Sequence, residues 1–143
     1  MSEVNDEART QRLRQHLMWR IHRRYQTRTE TLAIGPLSVA FTRIADPDRV
    51  LDEVAEEEDR REKASGRRLD GDDLHLPYWA ELWDSALGLA QVLVHGGAVG
   101  CVLDLGCGMG LAGSVAAAMG AKVVFADLES PALLFAALNS LPW

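Results

Sequence analysis

Two cysteines, Cys101 and Cys107, are all that the 143 residues contain. That is too few for a disulfide framework, and neither has a partner Cys or His at the spacing of a zinc site. Both read as reduced thiols. Histidine is also sparse: His16, His22, His75 and His95 fall in different predicted elements, so no histidine-based metal centre is expected. No stretch approaches the roughly 18 uncharged apolar residues that a membrane span needs. The N-terminus carries acids and arginines where a signal peptide would carry an apolar core. A cytoplasmic protein with no membrane partner is the expectation. What remains, 48% hydrophobic and 25% charged residues, is the make-up of an ordinary globular domain.

The formal net charge of -6 is unevenly spread. Residues 1–28 hold seven arginines against Glu3, Asp6 and Glu7, whereas residues 46–73 hold twelve acids against six bases. After residue 73, five acids face only Lys122. An arginine-rich start raises the question of nucleic acid. The acidic whole and the lack of any recognisable nucleic-acid module or of interleaved basic and aromatic residues argue against that partner.

Leu13, Leu17 and Ile21 recur every four residues, with Met18 and Tyr25 on the neighbouring stripe, which predicts an amphipathic docking helix. TETLAIGPLSVAFTRI, with its Gly35-Pro36 turn pair, predicts a β-hairpin. Asp46 and Pro47 supply an N-cap and a first-turn proline, and DRVLDEVAEEEDRREKA continues as a helix with a solvated charged face. Ser65 to Asp73 breaks the pattern as a loop. These features delimit an N-terminal extension, residues 1–73, from a second unit, residues 74–143. In LHLPYWAELWDSALGLAQVLVHGG, apolar residues at three- and four-residue intervals predict a largely buried helix entered after Pro77 and stopped at Gly96-Gly97. From Val99 the texture becomes α/β: VGCVLDL and AKVVFADL as buried strands, LAGSVAAAMG and PALLFAALN as helices. Continuous apolar strands alternating with helices predict a parallel sheet covered on both faces.

The segment VLDLGCGMGLAG, residues 102–113, carries the chemistry. Gly106-x-Gly108-x-Gly110 and Gly108-x-Gly110-x-x-Gly113 overlap in it, and the second satisfies the dinucleotide fingerprint. Glycines there let the backbone turn sharply and approach a ligand closely, which would serve any nucleotide. Asp104 discriminates, because it should stand at the strand end beside the middle of the ligand. A dinucleotide brings two phosphates there, repelled by a carboxylate at a cost of about 1–4 kcal/mol for charges some 4 Å apart in water or near a surface. S-adenosylmethionine brings an ammonium and a sulfonium, which the same aspartate attracts. Asp127, 21 residues beyond Gly106, suits ribose hydroxyls in either case. The plainer alternative makes Asp104 and Asp127 caps of a loop that merely joins strand to helix. Cys107 has no histidine near it in sequence, so it reads as a small residue whose backbone amide faces the ligand, not as a nucleophile.

VLDLGCGMGLAG followed by VVFADLESPALLFAALN resembles the first two βα units of class I S-adenosylmethionine-dependent methyltransferases. The upstream LPYWAELWDSALGLAQVL resembles the lysine-methyltransferase-like, nicotinamide N-methyltransferase-like branch, as does the hairpin followed by an Ala-Asp-Pro-Asp helix start. The resemblance runs from about Tyr25 to the C-terminus. It implies a Rossmann-like doubly wound parallel sheet preceded by a helix and hairpin extension, with residues 74–143 forming part of the S-adenosylmethionine-binding domain. It implies Asp104 on the methionine amino group, Gly106, Cys107, Gly108 and Gly110 against the cofactor, Asp127 on the ribose and Trp83 at the pocket wall. For Trp79 and Trp83, core packing is an equal alternative.

The family's sheet has seven strands, of which two are visible here. The chain is therefore expected to be C-terminally truncated, with the acceptor-facing residues beyond Trp143, no catalytic residue to name, doubtful activity by itself and self-association through unpaired strands. The expected partner is a methyl acceptor, either a protein side chain or a small-molecule nitrogen. A dinucleotide-binding Rossmann domain and a non-catalytic interaction module with a degenerate Rossmann-like core remain the competing readings.

Overall fold

The computed structural model describes residues 2–66, 76–97 and 100–143. Helix α1 (Ser2–His22) is followed by strands β1 (Thr27–Ile34) and β2 (Leu37–Ile44), then by α2 (Pro47–Ser65). After a single 3-10 turn, Tyr78–Ala80, come α3 (Asp84–Gly96), β3 (Cys101–Leu105), α4 (Leu111–Ala118), β4 (Lys122–Ala126) and α5 (Ser130–Ser140). The chain is thus α/β. Residues 67–73 of the expected loop, together with His75 and Val99, lie outside the described residues.

The hairpin forms as the sequence predicts, with Ile34 opposite Leu37 across a two-residue turn. Gly35 takes φ 55°, which a side chain rarely tolerates, and proline fixes the next φ. Asp46 caps α2, its Oδ1 accepting from the Arg49 N–H at 3.2 Å. No residue of α2 is buried, as a solvated charged helix requires.

β3 and β4 pair in parallel, Leu103 opposite Val124, with α4 as the crossover. Helix α4 lies on this pair, flanked by α3 and α5, and the flanking helices carry the hairpin, β1 on α3 and β2 on α5. Helix α1 packs on α5. One apolar cluster therefore runs from Leu17 and Ile21 through Ile34, Val39, Phe41 and Ile44 to Trp79, Met109, Leu111, Val115, Phe135 and Leu138. Residues on both sides of the 73/74 boundary share this core. Leu13, by contrast, is exposed, so the buried stripe of α1 occupies only its C-terminal half. On the outward side of α1, Trp19 stacks on His16 and lies under the Arg23 guanidinium.

Two expectations need correction. The buried helix entered after Pro77 does not form: α3 starts only at Asp84, and of its residues Ala90 alone is buried. The chain instead makes the 3-10 turn, and the Trp83 indole N–H donates to the Tyr78 carbonyl at 2.9 Å across the bend. Trp79 thereby turns into the core against Tyr25 and Phe135. The helical spacing of Trp79, Leu82, Trp83 and Ala86 arises from a turn and a helix in succession. Secondly, among the described residues only one face of the β3–β4 pair is covered. Leu103, Leu105 and Val124 are 61%, 78% and 63% exposed on the other, while Val102, Asp104, Val123 and Phe125 alternate with them as partly buried residues, and α4 contacts both strands. The predicted C-terminal stop of α3 does form: Gly97 caps it at φ 75°.

Candidate functional site

The functional loop is made by the transition from β3 to α4. Gly106 and Cys107 both donate their N–H to the Ala126 carbonyl, at 2.8 and 3.1 Å, which ties the loop to the end of β4 and corrects the expectation that the Cys107 amide faces a ligand. The Gly110 N–H closes the turn on the Cys107 carbonyl at 2.9 Å. Gly110 combines φ 82° with a close approach, since a Cβ there would lie 2.6 Å from the Ala136 Cβ on α5. Gly113 is required for a different reason: a Cβ would overlap the Phe125 ring on β4 and come within 2.8 Å of Asp104 Oδ2. It lets α4 lie directly on the sheet. Gly113→Ala is expected to lower stability by about 1–3 kcal/mol through overpacking, read as a lower urea midpoint with an unchanged slope. An unchanged midpoint would mean that α4 can shift away from the sheet at no cost.

Asp104, on the covered face of β3, is half-buried, and its Oδ2 accepts from the Gly113 N–H at 2.9 Å. Burial raises its pKa, the Gly113 bond opposes the rise and the charge of Asp127 adds to it. Asp127, just beyond β4, accepts from the Gly108 N–H through Oδ2 at 2.8 Å and from the Glu129 N–H through Oδ1 at 2.9 Å. Both aspartates therefore do brace backbone, as the plainer alternative holds. An ionised carboxylate offers about four lone-pair sites, so each retains acceptor capacity.

These groups open on a cleft of about 920 Å³ at the carboxyl ends of β3 and β4. Trp83, Asp104, Gly106, Cys107, Gly108, Gly110 and Asp127 all line it. Tyr78, Trp79 and Leu89 also border it, and Phe41 of the hairpin lies fully buried behind its lining. Trp79 is a core residue whose backbone lies against Gly108, whereas Trp83 is half-exposed among the lining residues. Gly106 has nothing within 4 Å of where a Cβ would stand, so its α-carbon faces open cleft.

Electrostatically the lining is one-sided. Its charged residues are Asp104, Asp127, Glu81 and Glu129, and no lysine, arginine or histidine is found among the described lining residues. Such a cleft favours a cationic ligand and repels phosphate. The Cys107 thiol is pushed up to about 11 by burial first and by the charges of Asp104 and Asp127 next. It stays protonated at neutral pH and is a poor nucleophile.

Sequence reasoning did not find Phe41, Glu81, Glu129 or Tyr78. Glu129, two residues past Asp127, carried a local signal in its position beside a strand-end acid. Phe41 carried none, since only packing brings the hairpin to the loop. Among the described residues no cluster of three or more His, Cys, Asp or Glu could hold a metal ion, and no helix is long and apolar enough to cross a membrane. No protein-family model, curated protein or solved structure matches the chain.

Proposed function

We propose that the cleft binds S-adenosylmethionine and that this chain is the cofactor-binding portion of a class I methyltransferase with a Rossmann-like doubly wound sheet. The observation that carries the reading is the charge of the lining: four carboxylates and no described cation beside a glycine loop at the ends of parallel strands. Ligands of open α/β sheets bind at strand carboxyl ends, and this one must tolerate acid on several sides. Asp104 would hold the ammonium and Asp127 the ribose hydroxyls. Gly106, with open space where a Cβ would stand, would let the ligand approach the loop backbone closely, Gly108 would give the loop its positive-φ turn beside it, and Trp83 would close the outer wall. Bound there, S-adenosylmethionine supplies a sulfonium methyl for in-line transfer to an acceptor, proposed to be a protein or small-molecule nitrogen. The contribution of these residues is proximity and alignment.

The dinucleotide reading shares the Gly113 packing, but two phosphates beside Asp104 and Asp127 would be repelled. Titration calorimetry separates the readings. Binding of S-adenosylmethionine and S-adenosylhomocysteine without NAD is the expected result. NAD affinity with no binding of either would overturn it, and no rise in melting temperature with any nucleotide would favour a non-catalytic module.

A further inference from the structure

We infer that Asn139 is a positioning residue that clasps the N-terminal hairpin to the glycine loop, so that the hairpin braces from behind the loop that borders the cleft. Asn139 lies on α5 at 3% exposure. Its Oδ1 accepts from the Thr42 N–H at 2.8 Å, while its Nδ2 donates to the Thr42 carbonyl at 2.9 Å and to the Met109 carbonyl at 3.0 Å. Both amide protons and the amide oxygen are therefore used.

The Thr42 end of this arrangement substitutes for a missing strand. In a two-stranded hairpin, N–H and C=O groups on the outer edge of β2 have no ladder partner, and burying them unpaired is costly. Asn139 pairs both groups of Thr42, as a residue of a third strand would. Phe41, next to Thr42, is fully buried directly behind the cleft lining.

At its other end the amide holds the loop. The Met109 carbonyl and the Gly110 N–H belong to one peptide plane, whose N–H closes the turn on the Cys107 carbonyl. Asn139 fixes the oxygen of that plane and the turn fixes its hydrogen. The peptide two bonds earlier in the loop is held by Asp127 through the Gly108 N–H. The curvature of Gly108 to Gly110 is thus set from two sides, by the strand-end aspartate and by the α5 asparagine. Nothing in the sequence spacing joins Thr42 to Met109. The clasp joins the two regions that the sequence separates as extension and cofactor unit.

A merely structural asparagine would lower stability without singling out the loop, so the test includes a destabilised core variant as control and compares loop exchange after correction for each variant's stability. Asn139→Ala, the milder Asn139→Ser and the core variant Ile21→Val, whose residue lies outside the cleft lining, are compared by hydrogen exchange and thermal melting. Loop amides from Cys107 to Gly110 are expected to exchange about tenfold faster in the Asn139 variants than in the control after correction for stability. S-adenosylhomocysteine affinity should fall by a similar factor, about tenfold, in those variants only. Equal loop protection in Asn139 variants and control overturns the inference. The affinity arm rests on the cofactor reading above, and failure of the wild-type protein to bind S-adenosylhomocysteine would count against that reading alone, since the exchange arm needs no ligand. Should neither Asn139 variant fold, wild-type exchange below the denaturation midpoint decides. A single opening free energy for the Thr42 and Gly110 amides supports the clasp, and two distinct values overturn it.

Discussion

Asp104→Asn is expected to weaken S-adenosylmethionine binding by about 1.5–3 kcal/mol, the range for a hydrogen bond to a charged group, while leaving the ligand-free protein at least as stable as wild type. The substitution keeps an oxygen for the Gly113 N–H and removes only the charge. In the ligand-free protein that charge is unfavourable, because burial raises the Asp104 pKa despite the Gly113 bond. A group whose folded pKa lies above its unfolded value contributes stability that is present below the unfolded pKa and lost as pH rises through the folded one. Wild type should therefore gain melting temperature relative to Asp104→Asn as pH falls from neutrality through the raised pKa toward the ordinary carboxylate range. Ligand affinity should move the opposite way. An ammonium favours the ionised carboxylate, so wild-type affinity falls over that same pH window, and the variant's does not follow. Calorimetry and melting curves across the window give both slopes. Parallel slopes in wild type and variant would remove Asp104 from the cation site.

The second large effect is self-association through the uncovered sheet face. Leu103 and Val124 are register partners on that face, and both are mostly exposed. Leu105 and Leu128 extend the apolar surface toward the cleft, Leu128 at 94% exposure. Among the described residues β3 and β4 pair only with each other, so each also presents an edge of unpaired backbone groups. A contiguous apolar patch beside open edges is the usual route to association, at about 25 cal/mol per Å² of apolar area covered. Light scattering on the purified chain should report species larger than the monomer. The double variant Leu103→Glu, Val124→Lys should be monomeric with its melting transition retained. The new charges face each other across the strands, where opposite charges pair acceptably, and neither residue lines the cleft. A wild-type chain that remains monomeric at every accessible concentration would show that this face does not drive assembly.

Local rules account for much of what could be read in advance. The hairpin turn at Gly35-Pro36, the Asp46 cap and the strand–glycine loop–helix passage around Asp104 each depend on residues within a few positions of one another. Backbone torsion limits and capping bonds act over that range. The start of α3 departs from the periodicity because Trp79 and Trp83 satisfy a helical period while serving different surroundings, one in the aromatic core and one half-exposed at the cleft. Periodicity reports which residues are apolar and how they are spaced. It does not report which neighbours compete for them.

The sequence by itself determined the α/β character of the chain, the two parallel strands, the loop between Asp104 and Gly113 and the acid at Asp127, since alternation, glycine content and strand-end position are written within short segments. Only the tertiary structure decided that Glu81, just past the 3-10 turn, shares one cleft with those residues and that Phe41 from the hairpin backs it, that its described lining carries no cation, and that Asn139 joins Thr42 to Met109. These juxtapositions bring together residues far apart in the chain. They are set by which apolar faces bury one another, and no local pattern records the partner a face will find.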